Sequence, residues 1–229
     1  AASRRCIRRI PLMLPKWTVL NIGSISRNKF WGEREEKSYR EIFCTCTLIQ
    51  TDTDIIVVDP SMAGDDMAYL LDSRCGILPG DVTKVFVTHT HGDHTVGMDG
   101  FPHAQWFMMP GEIASLGKGQ EQWQDRFIPA GDEIASGIGT ISLPGHTPTL
   151  GGLIFNALEG RVVVAGGGVM TRDFFRHRME YHNSQDPAVA SQTLEMLANT
   201  ADVIVPGHDN YFYVKAAEAM PKQEIIYTK

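Results

Sequence analysis

Three histidines and an aspartate fall within six positions of one another, in the stretch VTHTHGDHTVG at 87–97. The run KVFV just before them is apolar and β-branched, and it reads as a strand. A strand of this kind delivers the cluster to the loop at its C-terminal end, where sites gather in layered α/β folds. Imidazole nitrogens and a carboxylate are ligands for zinc, and iron or manganese suit the same donors. His89 and His91 stand close enough to hold one ion. Asp93 and His94 follow Gly92, which allows a tight turn. An incidental polar turn is the alternative, but three of the eight histidines in six positions argue against it.

The rest of the chain is compatible with such a fold. At 229 residues it is long enough to bury a substantial core, and one domain over 1–229 is expected. Hydrophobic residues make up 43% and charged residues 21%. No apolar run approaches the roughly 20 residues of a membrane span, so no membrane partner is expected. The opening AASRRCIRRIPLMLPKW places arginines before apolar residues, but Pro11 and Pro15 interrupt it. It reads as the entry to a first strand, and the missing initiator Met leaves a start further upstream open. The net charge of −6 disfavours a general nucleic-acid binder. Arg4, Arg5, Arg8 and Arg9 are a local exception, read as a solvated tail. Cys6, Cys44, Cys46 and Cys75 lack the spacing of a disulfide framework, which suggests a reducing, cytoplasmic setting. Cys44 and Cys46 alternate in a strand-like run and read as core residues rather than ligands.

Periodicity predicts strands at 17–25, 43–50, 54–59, 84–89, 104–109 and 139–145. Two more, GGLIFNAL and RVVVAG, are split by a hairpin-like Glu-Gly turn, and ADVIVPGH closes the series. Helices are expected at 64–76, with Gly76 as a stop, at 110–117, and at 186–200, with Asp186 as N-cap and Pro187 at N1. Strands in runs, alternating with helices, indicate α/β layering. Two further histidines repeat the strand–Pro-Gly context of a ligand loop: His146 in SLPGHTPTLGG and His208 in VIVPGHDN. His103 reads as an ordinary surface residue.

With these residues in place, THTHGDH resembles the H-x-H-x-D-H motif of the metallo-β-lactamase superfamily. VVDPS is similar to that family's early Asp strand, PGHTP to its third metal motif and the last PGH to its final one. The resemblance covers nearly the whole chain and implies an αββα sandwich with the site at one edge of two sheets. It implies that His89, His91 and His146 bind a first metal and Asp93, His94 and His208 a second. Asp59 would orient the loop behind them by hydrogen bonds. The implied activity is hydrolysis of a small-molecule ester, lactone, amide or related bond by a metal-bound hydroxide, with Asp93 also moving a proton. A single-strand nuclease of the same fold and a catalytically inactive metal-binding variant are the alternatives.

One phrase departs from the family. Where an Asp normally bridges both metals, VVVAGGGVM places Gly167. The second site is then expected to weaken more than the first. A one-metal variant, an inactivating substitution, or a replacement carboxylate from Asp173 or Asp209 are the explanations left open. The segment 28–41, with Phe30, Trp31 and Tyr39, is a candidate overhang for substrate or a solvated turn. FFRHRMEYHN at 174–183 is a candidate source of a cation or a polar helix face.

Overall fold

The β-branched runs IIVV and VIVP are buried along their whole length. Such strands need cover on both faces. The computed structural model, which describes residues 14–117 and 119–222, supplies that cover as four layers, helix–sheet–sheet–helix. The first sheet contains, in spatial order, β1 (Lys16–Asn21), β2 (Cys46–Gln50), β3 (Ile55–Val58), β4 (Lys84–Phe86), β5 (Gln105–Met108) and β6 (Phe127–Pro129). The second contains β7 (Glu133–Ala135), β8 (Ile138–Ser142), β9 (Gly151–Ala157), β10 (Gly160–Gly166), β11 (Val203–Pro206) and β12 (Phe212–Tyr213), again in order across the sheet. β3 to β6 run parallel, as do β10 and β11, and the other pairs are antiparallel. Both sheets are therefore mixed.

Alternation along the strands distributes side chains between the layers. Ile56, Val58 and Phe86 point between the sheets, where they meet Leu153, Phe155, Val162, Val164 and Val205. Val57 and Val85 point the other way, onto Met67 and Leu71 of α1 (Gly64–Cys75). A short α2 (Pro110–Ala114) follows β5. Beyond the second sheet lie α3 (Arg172–His177), α4 (Pro187–Thr200) and α5 (Val214–Ala219). Val163 and Ile204 pack there against Leu194 and Leu197 of α4. Gly76 ends α1 in the left-handed conformation at φ +63°, as expected of a C-cap glycine. Asp186 caps α4 by accepting from the Ala188 and Val189 amides, with Pro187 at the first helical position.

Most strands are shorter than the sequence pattern predicts, β1, β2 and β4 among them. β1 stops at Asn21 and β2 begins only at Cys46, with a register shift between Val19 and Asn21. The reason is a bond between sheets: the Thr45 amide leaves its ladder and donates to the Gly207 carbonyl. β4 ends at Phe86: the Val87 amide still bonds to Phe107, but the Thr88 amide turns from the sheet to the Asp59 carboxylate. β6, β7, β12 and α5 were not expected. The three strands have two or three residues each, too few for a period to show. Cys44 and Cys46 are buried free thiols, as expected. Cys6 and the four N-terminal arginines lie outside the described residues. Among the described residues, no helix is long and apolar enough to cross a membrane.

Candidate metal centre

Each candidate ligand sits just past the C-terminal end of a strand. His89 to His94 follow β4, His146 follows β8 and His208 follows β11. The layers bring these ends together in two adjoining groups: His89, His91 and His146, and Asp93, His94 and His208. Within each group the ligand atoms lie within 4.8 Å of one another. In the first group, His91 Nδ1 lies 3.0 Å from His89 Nε2 and 3.1 Å from His146 Nε2. In the second, Asp93 Oδ2 lies 3.7 Å from both His94 Nε2 and His208 Nε2.

The remaining ring nitrogens settle which tautomers are present. His208 Nδ1 faces the Phe43 carbonyl at 3.0 Å, so it must donate. His94 Nδ1 donates to Asp59 Oδ2 at 2.8 Å. The Ser184 hydroxyl gives its proton to Glu180 at 2.8 Å and so accepts from His146 Nδ1 at 3.2 Å. The Thr88 hydroxyl donates to Asp59 at 2.8 Å and accepts from His89 Nδ1 at 3.1 Å. All four rings therefore turn an Nε2 lone pair toward the cluster, each backed by a second partner as metal-bound histidines are.

Electrostatics favours neutral rings. Burial, helped by the neighbouring imidazoles, pushes His89 well below the usual histidine value, and it also lowers His91. The same causes take His146 to about 3 and His208 to about 4. His94 differs. Burial opposes its charge, but the Asp59 carboxylate prevails and raises its pKa. The same pull makes its lone pair a stronger metal donor.

Asp93 Oδ2 and His94 Nε2 are buried and have no hydrogen-bond partner. Orphaned polar atoms are costly in a protein interior, and a lone pair beside a carboxylate oxygen is the arrangement a divalent cation satisfies. The donor set thus fits a metal. A third group, Cys44 with Asp59 and His94, does not. Asp59 already accepts from the Thr88 amide, the Thr88 hydroxyl and His94. Burial, with Asp59 and Asp93 nearby, raises the Cys44 thiol and keeps it protonated. Asp59 itself sits in the left-handed region at φ +52°, which aims its carboxylate at both Thr88 and His94.

The glycines of AGGG lie against this cluster. Gly166 has φ +49°, and a Cβ there would fall 2.3 Å from the Thr88 hydroxyl. A Cβ on Gly167 would fall 2.7 Å from His146 Cδ2 and 2.8 Å from His89 Cε1. Gly167 therefore borders the first group, and a side chain there would displace the rings. Neither proposed replacement carboxylate reaches the site. Asp209 accepts from the Arg172 and Asn210 amides, and Asp173 pairs with Arg176. Gly92, by contrast, has open space around it and no left-handed backbone, so the turn does not require a glycine there.

The flanking segments are more structural than expected. Phe30 is buried against Phe174 and His177, while Trp31 and Tyr39 are exposed. Arg176 is buried beside Asp173, and Arg178 pairs with Glu195 and Glu218, so neither is a spare cation. His103 is exposed, as expected. The supporting residues Thr88, Ser184 and Glu180 carry no motif that the sequence would reveal.

A family model described as the metallo-beta-lactamase superfamily matches residues 39–208, well over half of the chain. Metallo-beta-lactamase domain-containing protein 1 of Xenopus laevis is 27% identical over 192 residues, 78% of this chain and 76% of that protein. The Homo sapiens protein of the same name is 31% identical over 159 residues, 65% of this chain but 55% of its own length. The fold is also that of an N-acyl homoserine lactone hydrolase solved with its product N-hexanoyl-L-homoserine at the catalytic metal centre. That likeness has a TM-score of 0.63 at 18% identity, over 87% of this chain and 94% of the other. The family match runs through the H-x-H-x-D-H loop and ends on His208, and the chain belongs to the metallo-beta-lactamase superfamily.

Proposed function

We propose that this chain is a metal-dependent hydrolase that cleaves an ester, lactone, amide or related bond of a small molecule. The observation that carries the reading is the convergence of neutral imidazole lone pairs beside a buried, unpartnered carboxylate oxygen. In this reading His89, His91 and His146 would hold one ion, a three-ligand set of the kind catalytic sites use. Asp93, His94 and His208 hold the other. Zinc suits these donors best, with iron or manganese as substitutes. An ion bound there supplies an acidified water and a Lewis acid for the scissile carbonyl or phosphoryl oxygen. The chain's residues do the rest. Asp59 orients His94 and, through Thr88, His89. Asp93, beside both groups, takes or delivers the proton. The small acyl product in the homoserine lactone hydrolase is compatible with this substrate class.

Gly167 contributes no oxygen, so two neighbouring cations would share less negative charge. The second ion is then held more loosely than the first. Plasma mass spectrometry on protein purified without chelator is expected to find about one firmly held equivalent per chain. Ester and lactone panels are expected to show turnover that needs metal. On His91→Ala it should fall by more than roughly 100-fold, since losing a ligand costs more than losing the residue behind one. Gly167→Asp is not expected to restore the second ion, because its Cβ would press on the His146 and His89 rings of the first group. No bound metal and no turnover across the panels would overturn the reading. Cleavage of single-stranded RNA that weakens steeply with salt, in place of that turnover, would do so too.

A further inference from the structure

Glu112, on α2, is 1% exposed and touches none of the candidate ligands. Its Oε1 accepts from the Thr147 hydroxyl at 2.6 Å and the Thr149 hydroxyl at 2.9 Å. Its Oε2 accepts from the Thr90 amide at 3.1 Å. Thr90 stands between His89 and His91, and Thr147 follows His146. One buried carboxylate thus clasps the two loops that carry the first group of histidines, and those loops come from different sheets. Packing is close here: a Cβ on Gly111 would fall 2.4 Å from Thr149, so α2 lies directly against the second loop. The second group has its own backing in Asp59 for His94 and the Phe43 carbonyl for His208.

We propose that Glu112 is a positioning residue that sets the spacing of His89, His91 and His146 and so governs metal affinity at the first site but not the second. This inference rests on the metal-site reading above. Its physical basis is preorganisation. Two loops held by three hydrogen bonds to one buried acceptor group present their ligands with a smaller ordering cost at binding. Glu112→Gln keeps the shape, but the amide can accept at only one end. With its oxygen on the Thr90 amide, it leaves the threonine hydroxyls to accept from a neutral amide instead of donating to a carboxylate, a weaker clasp.

The test uses two backgrounds of the full chain, stripped of metal and titrated with zinc against a competing chelator. His208→Ala leaves only the first group complete, and His146→Ala leaves only the second. Glu112→Gln is expected to weaken zinc binding by roughly 10–100-fold in the first background and to leave it unchanged in the second. Equal losses in both would mark a general structural role and overturn the proposal, as would no loss in the first. Thr147→Val is expected to act in the same direction with a smaller loss, and Thr147→Ser to restore affinity. These two variants decide the matter if Glu112→Gln does not fold. If neither background binds zinc before the Glu112 change, the metal-site reading fails. If both bind and Glu112→Gln has no effect, only this inference fails.

Discussion

Asp59 gathers three of the site's hydrogen bonds on one buried carboxylate. Its carboxylate accepts from a backbone amide, a hydroxyl and an imidazole, and both it and His94 are about 1% exposed. Removing one member of such a buried pair leaves the other without compensation. Asp59→Ala is therefore expected to destabilise the metal-free protein by about 3 kcal/mol, read from denaturant unfolding at neutral pH. A loss below about 1 kcal/mol would mean that water replaces the carboxylate freely. Residues of this kind show how far the sequence is legible. The candidate ligands announce themselves because metal chemistry restricts them to a few side-chain types. Asp59 is recognisable only through a family resemblance. Glu112 and Thr88 are invisible, because any hydrogen-bonding residue in a short helix or a strand end looks the same in one dimension.

At the scale of elements, α4 is what places His146. The Asp186 amide donates to the Gly145 carbonyl and the Gln185 amide to that of His146. The Thr193 hydroxyl on α4 donates to the Pro144 carbonyl at 2.7 Å. Gly145, at φ +130°, lies so close to the helix that a Cβ would meet Ala190 at 2.3 Å. The Pro-Gly-His loop is thus moulded on the helix start. Asp186→Ala removes the cap and is expected to cost about 1 kcal/mol. It should also weaken metal binding at the first group, because the uncapped helix start, whose flanking amides hold the His146 loop, frays. Thermal unfolding with and without zinc separates the two effects: a purely local cap would shift both midpoints equally. Long elements such as α1 and α4 are legible from period and caps. The short ones are set by the sheet they complete, which is why β6, β7 and β12 carry no signal of their own.

At the scale of the molecule, one buried acid sets a pH dependence. Burial raises Glu180 from its ordinary 4.5 to about 7, against smaller opposing effects from Ser184, the Tyr181 amide and Lys29. The folded chain then holds a proton that the unfolded chain releases. Its contribution to stability is full below about pH 4.5 and is lost as pH rises through about 7. The loss is at most roughly 3 kcal/mol. Glu180→Gln cannot ionise, so its stability relative to the parent should improve steadily between pH 5 and pH 8. Denaturant titrations across that range check the slope, and parallel curves would show that the carboxyl is already ionised at pH 5.

The two groups of ligands also draw on chain segments far apart in sequence. The loop after β4 belongs to the first sheet, whereas His146 and His208 belong to the second, and the Thr45 amide bonds to Gly207 across the gap. Neither sheet alone assembles either group. Loop closure over such separations comes late in folding, so uptake of the proposed metal would be tied to the docking of the sheets. A nascent chain still short of β11 carries the whole first group but lacks His208 of the second, and the proposed ions would stabilise the completed fold by mass action.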